Sequence, residues 1–89
     1  MDTQLDAQRL SRLKWRCRRG LLENDLLIER FFRRHESALT ARQADGLEAL
    51  MELADNDLLD VLLSRRELPA GLHDRPDVQE VLALLRERS

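Results

Sequence analysis

The chain has 89 residues, of which 36% are charged and 43% are hydrophobic, and its formal net charge is −2. A chain of this length forms one small domain, so a large internal active site is not expected. The slightly negative charge also disfavours a nucleic-acid-binding domain, because such domains are typically strongly basic.

Cysteine content and hydropathy indicate the cellular compartment in which the protein is expected. The one cysteine cannot form an internal disulfide, which agrees with a reducing environment. No apolar run approaches the roughly 20 residues of a membrane-spanning helix, so no membrane insertion is expected. The N-terminus lacks the apolar core of a signal peptide, and Asp2 and Asp6 are unlike a mitochondrial presequence. We therefore expect a cytoplasmic protein.

The first predicted helix is capped by Asp2 or Thr3 and ends near Arg19. Its inward face carries apolar residues at helical spacing: Leu10, Leu13 and Cys17. Basic residues crowd the same region: Arg9, Arg12, Lys14, Arg16, Arg18 and Arg19. Acidic residues dominate positions 45 to 60, and this contrast suggests a partner of complementary charge.

Gly20 separates the first helix from the second and can adopt the left-handed conformation that closes a helix. Glu23 and Asp25 follow near the start of helix two, where free backbone amides carry positive charge. Two interpretations of this corner are open. Arg19 and Glu23 could form a structural ion pair worth about 0.5 kcal/mol. Alternatively, a glycine beside arginines would let a partner's backbone approach closely, which describes a docking site.

The second helix is predicted from about Leu21 to Ser37 and is the most apolar, so we expect it to be central. Its apolar stripe should pack against several neighbours: Leu21, Leu22, Leu26, Leu27, Ile28, Phe31 and Phe32. We interpret the two phenylalanines as core residues, because apolar residues at this spacing usually pack inside.

Thr40 and Gln43 form a capping-box pattern, which predicts a third helix ending near Ala54. Its inward residues are Ala44, Leu47, Leu50, Met51 and Ala54, and Gly46 within it hints at close packing. Asp55 is expected to cap a short fourth helix whose apolar members are Leu58, Leu59, Val61, Leu62 and Leu63.

The segment from Leu68 to Gly71 is predicted to be a loop. A last helix begins near Pro76, capped by Asp74 or Arg75, and its apolar face carries Val78, Val81, Leu82 and Leu85. No segment shows the alternation of a strand. The expected fold is therefore all-α: a five-helix antiparallel bundle that forms a single domain over residues 1–89.

Catalytic and metal-binding patterns are weak. Glu23 and Asp25 are two positions apart on a helix, so their carboxylates point to different faces and make a poor acid–base pair. Cys17, His35 and His73 lack the close spacing of a zinc site. There is no phosphate-binding glycine loop and no nucleophile elbow. The sequence predicts a protein that is not an enzyme, has no metal site and binds no cofactor stably.

Residues 15–25, with the pattern Trp-x-Cys-Arg-Arg-Gly-x-x-Glu-x-Asp, resemble the signature of the succinate dehydrogenase FAD assembly factors, the SdhE family. The resemblance extends to Phe31-Phe32, to Asp55-Asn56-Asp57-Leu58 with Leu62, and to Pro69-Ala70. Family members often have a tryptophan where this chain has Val61. The resemblance covers nearly the whole chain and also implies a small helical bundle.

The resemblance implies an assembly factor that acts on a partner carrying FAD. That partner would be the flavoprotein subunit of succinate dehydrogenase, with fumarate reductase as a further client, and the factor would promote covalent attachment of FAD to a partner histidine. Carried over, the motif residues at the interface are Arg19, Gly20 and Glu23, flanked by Trp15, Arg18 and Asp25. We expect the free protein to be a monomer.

A different class of function is also open. The basic first helix could follow a phosphate backbone through Arg9, Arg12, Arg16 and Arg19, while Trp15 stacks on a base. The acidic character of the whole chain argues against this nucleic-acid-binding alternative.

Overall fold

The computed structural model describes residues 5–18 and 21–87, and these form six α-helices with no strand. The helices are α1 (Ala7–Arg16), α2 (Leu22–His35), α3 (Ala41–Leu50), α4 (Asp55–Leu62), α5 (Ala70–His73) and α6 (Pro76–Leu85). A 3-10 turn at Glu36–Ala38 joins α2 to α3. The predicted all-α fold is confirmed, with one short helix more than the sequence indicated.

The first helix is shorter at both ends than predicted. Asp6 is its N-cap, and the Asp6 carboxylate accepts a hydrogen bond from the Arg9 amide at 2.8 Å. The helix therefore begins later than predicted, because the chain is extended at Asp6; the predicted caps Asp2 and Thr3 lie outside the described residues. The helix ends at Arg16 with Cys17 as its C-cap, so the predicted end near Arg19 is also too late.

The capping pattern at Thr40 is confirmed by both of its reciprocal hydrogen bonds. The Thr40 hydroxyl accepts from the Gln43 amide at 3.1 Å, and the Gln43 side chain accepts from the Thr40 amide at 3.0 Å. The helix stops at Leu50, earlier than predicted, and Ala54 is exposed rather than buried. Ala54 is instead the N-cap of α4, so Asp55 is the first helical residue and not the cap.

The segment predicted as a loop after Leu68 contains the four-residue helix α5. Pro69 is its N-cap, and the Pro69 carbonyl accepts from the amides of Leu72 and His73. α6 begins at Pro76 with Arg75 as its N-cap, which confirms one of the two predicted caps.

The core is shared by all of the longer helices. Its buried residues include both phenylalanines of α2, which pack edge to face with centroids 5.4 Å apart, so their core assignment is confirmed. Among the described residues, the most extensive contact between two helices is that of α3 with α6. A Cβ added at Gly46 of α3 would lie 2.5 Å from the Asp77 carbonyl oxygen, so the glycine permits this close approach, as its position inside a helix suggested.

Candidate partner-binding site

The predicted site residues lie at the corner between α1 and α2. Trp15 is in the last turn of α1, Arg18 follows it, and Glu23 and Asp25 are in the first turn of α2. The other two predicted residues, Arg19 and Gly20, lie outside the described residues. The described part of the corner thus presents an aromatic side chain, a cation and two carboxylates from consecutive helices.

Trp15 faces away from the core because the opposite face of α1 is the buried one. Leu13 and Cys17 are each 1% exposed, and they lie two positions on either side of Trp15. Trp15 is 73% exposed, and the Arg18 guanidinium lies 5.9 Å from the centroid of its ring. A cation over an indole face stabilises this arrangement by about 0.5 to 1 kcal/mol when exposed. Trp15 and Arg18 therefore present an exposed aromatic ring with a cation beside it on the surface.

The carboxylates of Glu23 and Asp25 lie at the N-terminus of α2. The N-cap of this helix, Leu21, has no side chain that can accept from the free amides, and no side-chain cap is present. Two acids in the first turn compensate this positive end electrostatically. Glu23 is exposed and forms no ion pair within residues 5–18 and 21–87. The predicted pair with Arg19 involves a residue outside that range and stays a prediction.

The basic side chains of α1 are largely committed to α3 and its flanks. Arg9 contacts Asp45 at 2.6 Å and Glu48 at 3.6 Å, and Arg16 contacts Glu52 at 3.2 Å. The hydrogen bond with Asp45 raises the pKa of Arg9 above its usual value. Arg9 with Asp45 and Arg16 with Glu52 are both separated by 36 positions, so α1 and α3 run in the same direction.

These ion pairs change the interpretation of the charge contrast. The basic N-terminal region and the acidic middle region neutralise one another within the chain, so part of the contrast is explained without a partner. Carboxylates of Asp45, Glu48 and Glu52 lie beside the helix that would follow a phosphate backbone in the nucleic-acid-binding alternative. Their negative charge would repel the phosphates.

Two leucines of α2 that were predicted to pack inside lie on the surface. Leu22 is 63% exposed and Leu26 is 57% exposed, whereas Ile28, Phe31 and Phe32 are buried. The prediction of one broad inward stripe is wrong at these two positions. The apolar residues of α2 lie on more than one face of the helix, which can bury only the face that meets its neighbours, and sequence periodicity does not identify that face here.

Asn24 is a residue that the sequence analysis missed. It is fully buried, and its side-chain amide donates to the Asp55 carbonyl at 2.9 Å, which ties the start of α2 to the start of α4. Among the described residues, its side-chain oxygen has no hydrogen-bond partner. A polar residue between Glu23 and Asp25 gives no sequence signal for burial, because its neighbours are both hydrophilic.

The remaining family-like positions are mostly structural. Val61 is 1% exposed, so its side chain lies in the core and offers a partner no contact. Its carbonyl accepts two hydrogen bonds from the Arg86 guanidinium, at 3.1 and 2.7 Å. Asp57 pairs with Arg66 at 2.6 Å, and Leu58 is buried. These contacts hold α4 against its surroundings and support the corner indirectly.

The part of the chain that the structure describes contains no group of three or more His, Cys, Asp or Glu side chains placed to hold a metal ion. Over the same residues, none of the helices combines the length and the apolar character needed to cross a lipid bilayer. Cys17 is buried, in agreement with its predicted place on the inward face of α1.

Comparisons with known proteins agree on one family. Residues 11–89 match the family Sdh5, described as the flavinator of succinate dehydrogenase. A protein named FAD assembly factor SdhE from Ralstonia nicotianae is 54% identical over 83 residues, which cover 93% of this chain and 86% of that protein. The protein of the same name from Coxiella burnetii is 32% identical over 76 residues, covering 85% and 83%.

A further SdhE, from Vibrio cholerae, is 44% identical over 52 residues, which cover 58% of this chain and 60% of the relative. No solved structure matches the chain significantly. The resemblance first suggested by residues 15–25 is therefore confirmed over almost the whole length. The chain belongs to the family of succinate dehydrogenase flavinators.

Proposed function

We propose that this protein is an assembly factor that binds the flavoprotein subunit of succinate dehydrogenase and promotes covalent attachment of FAD to it. The observation that carries the proposal is the family match over residues 11–89, which includes the motif at residues 15–25. Relatives named FAD assembly factor share this region. Fumarate reductase is proposed as a second client.

The protein's contribution in this proposal is orientation. The reacting histidine and the flavin both belong to the client, and this chain contributes a helical binding surface rather than catalytic groups, so it is not an enzyme. Holding mobile parts of a client in a reactive geometry accelerates a reaction without adding a functional group. Ion pairs connect α1 to α3 and its C-terminal flank, and the Asn24 hydrogen bond connects the start of α2 to the start of α4.

The binding surface in the proposal consists of Trp15, Arg18, Glu23 and Asp25 together with the motif residues Arg19 and Gly20. Trp15 supplies the apolar area and Glu23 an exposed carboxylate. Aromatic side chains of this kind are frequent energetic centres of protein interfaces. The nucleic-acid-binding alternative has less support, because Arg9 and Arg16 already pair with carboxylates.

Deletion of the gene tests the proposal. We expect covalent flavin on the succinate dehydrogenase flavoprotein, measured as in-gel fluorescence under denaturing conditions, to fall strongly, while an immunoblot shows that the subunit is still made. A plasmid copy of the gene should restore the fluorescence. Unchanged fluorescence in the deletion strain would contradict the proposed function. The same gel, probed for the fumarate reductase flavoprotein, tests the second client.

A further inference from the structure

The first two turns of α2 carry an apolar surface that the proposed function does not yet explain. Leu22 and Leu26 lie one helical turn apart, so their side chains are neighbours on the same face. Both are more than half exposed. We call these two residues the leucine strip. Leu21 and Leu27 nearby are only half-buried.

The helix cannot easily rotate to bury the strip. Asn24, Ile28 and Phe31 lie on the opposite side of α2 and are all buried. The Asn24 amide is bonded to the Asp55 carbonyl at 2.9 Å. Rotation would break that bond and expose Ile28 and the aromatic pair, three large side chains at about 1.5 to 3 kcal/mol each, whereas it would bury only two leucines in return. The strip is thus a fixed feature of the folded protein.

Charged side chains border the leucine strip on its sides and at its far end. Successive helical positions differ by about 100°, which places Glu23 on one side of the strip and Asp25 on the other. Further along the same face, Glu29 and Arg33 form an ion pair at 3.2 Å. The leucine strip is therefore a short apolar surface between two carboxylates, and it ends at the ion pair of Glu29 and Arg33.

We propose that the leucine strip inserts into an apolar groove of the flavoprotein client whose rim carries cationic side chains facing Glu23 and Asp25. This inference rests on the proposed function and extends its contact surface from the motif onto the outer face of α2. Leu22 lies inside the motif itself, next to Glu23, so the strip is continuous with the proposed binding surface.

A second copy of this chain fits the strip less well. A symmetric contact brings the same patch of both copies together, so the carboxylates of Glu23 and Asp25 would face their own counterparts. Two leucines also cover much less than the roughly 1,200 Å² of total surface that a stable interface buries. The charge border therefore favours a cationic partner over self-association.

The test replaces both leucines by glutamine, which has similar length and helix propensity but is polar. The double variant Leu22→Gln with Leu26→Gln should keep the helical content and melting temperature of the wild type. Its affinity for the purified flavoprotein subunit, measured by isothermal titration calorimetry, should fall at least tenfold, because the apolar contact area is lost. Leu63→Gln is the matched control, since Leu63 is an exposed leucine at the end of α4.

The possible outcomes distinguish failure of the leucine-strip inference from failure of the proposed function. If the wild type and Leu63→Gln bind the subunit and the double variant binds tenfold more weakly, the inference is supported. Equal binding by all three proteins overturns the leucine strip and leaves the proposed function intact. Absence of binding by the wild type overturns both. If sedimentation shows a wild-type dimer that the double variant cannot form, the strip is a self-association surface and the inference is wrong.

Discussion

The contact between α3 and α6 and the corner between α1 and α2 use apolar residues in opposite ways. At the α3–α6 contact, apolar side chains are buried, and the absence of a side chain at Gly46 lets the two helix backbones approach closely. At the corner, the side chains of Trp15, Leu22 and Leu26 are exposed at the surface. The α3–α6 contact stabilises the fold, whereas the exposed apolar side chains at the corner are better explained by binding to a partner.

The same contrast occurs within α2. One face of the helix buries Asn24, Ile28 and Phe31, and the opposite face exposes Leu22 and Leu26. Exposed apolar side chains are common singly and need no explanation, but a cluster at a family motif indicates an interaction surface. Substitutions that affect folding should therefore separate from substitutions that affect binding along this one helix.

The largest expected effect is that of Phe32→Ala, which should destabilise the protein by about 3 to 5 kcal/mol, because it empties a buried aromatic site. Leu26→Ala on the same helix should change the unfolding free energy by less than about 0.5 kcal/mol, because its side chain is already in water. Chemical denaturation of both variants measures the difference. Similar losses in the two variants would mean that α2 does not have one buried and one exposed face.

Gly46→Ala tests the close approach of α3 to α6. Alanine favours helix by up to about 1 kcal/mol over glycine, but its Cβ would meet the backbone of Asp77, and overpacking costs about 1 to 3 kcal/mol. We expect a net loss of about 1 kcal/mol, measured by thermal and chemical denaturation. Gly71→Ala is the matched control, since a Cβ there meets nothing within 4 Å, and it should be neutral or stabilising. A stabilising Gly46→Ala would contradict the packing.

Locally encoded features of this fold were predictable from the sequence. The capping box at Thr40 and the helix start at Pro76 depend on a few neighbouring residues, and both are present as predicted. The predicted start of α1 was too early. Asp2, Thr3 and Asp6 can each cap a helix, and tertiary contacts rather than local sequence determine where the helix begins. One such contact is the hydrogen bond from the Leu5 amide to the Leu39 carbonyl at 3.0 Å, just before the Asp6 cap.

The sequence motif of the candidate site was predictable, but which of its side chains are exposed was not. Spacing placed Trp15, Glu23 and Asp25 at one corner, yet it could not show which of the leucines at this end of α2 meet the core. In the pairing of α1 with α3, the spacing of Asp45 and Glu52 matches that of Arg9 and Arg16, but the same charges could equally face solvent or a partner. Long-range pairs of this kind depend on tertiary structure, and local patterns do not encode them.

A smaller effect concerns acid stability at the start of α6. The hydrogen bond from Arg75 lowers the pKa of Asp77 below its usual value, since the ionised carboxylate is the favoured partner. A group whose pKa is lowered by folding stabilises the folded state above its unfolded pKa, near 3.9, and this contribution is lost as the pH falls through the folded pKa. Asp77→Asn should therefore lower the melting temperature at pH 7 and have less effect at pH 2. An equal effect at both pH values would contradict the ionic contribution.

The smallest effect on folding and a large effect on binding are expected together for Glu23→Ala. Glu23 is exposed, and the charge it places at the N-terminus of α2 stabilises that helix by only about 0.3 to 1 kcal/mol. Alanine recovers part of this through its helix propensity, so the net change in unfolding free energy should be within about 0.5 kcal/mol. Calorimetric unfolding of the purified variant measures this term.

Binding by the same variant decides between the two interpretations of the corner. If Glu23 faces a cation of the flavoprotein, its removal should weaken binding at least tenfold and reduce flavinylation, because loss of one partner leaves the other charge buried and unpaired. Glu80→Ala is the control, since Glu80 is an exposed carboxylate on α6 whose contact with Arg42 is long, at 3.9 Å. If Glu23→Ala binds the subunit as tightly as Glu80→Ala does, Glu23 serves only the helix terminus or the pair with Arg19. The partner-facing role would then fall to Trp15 and the leucine strip, whose variants report on the client independently of this carboxylate.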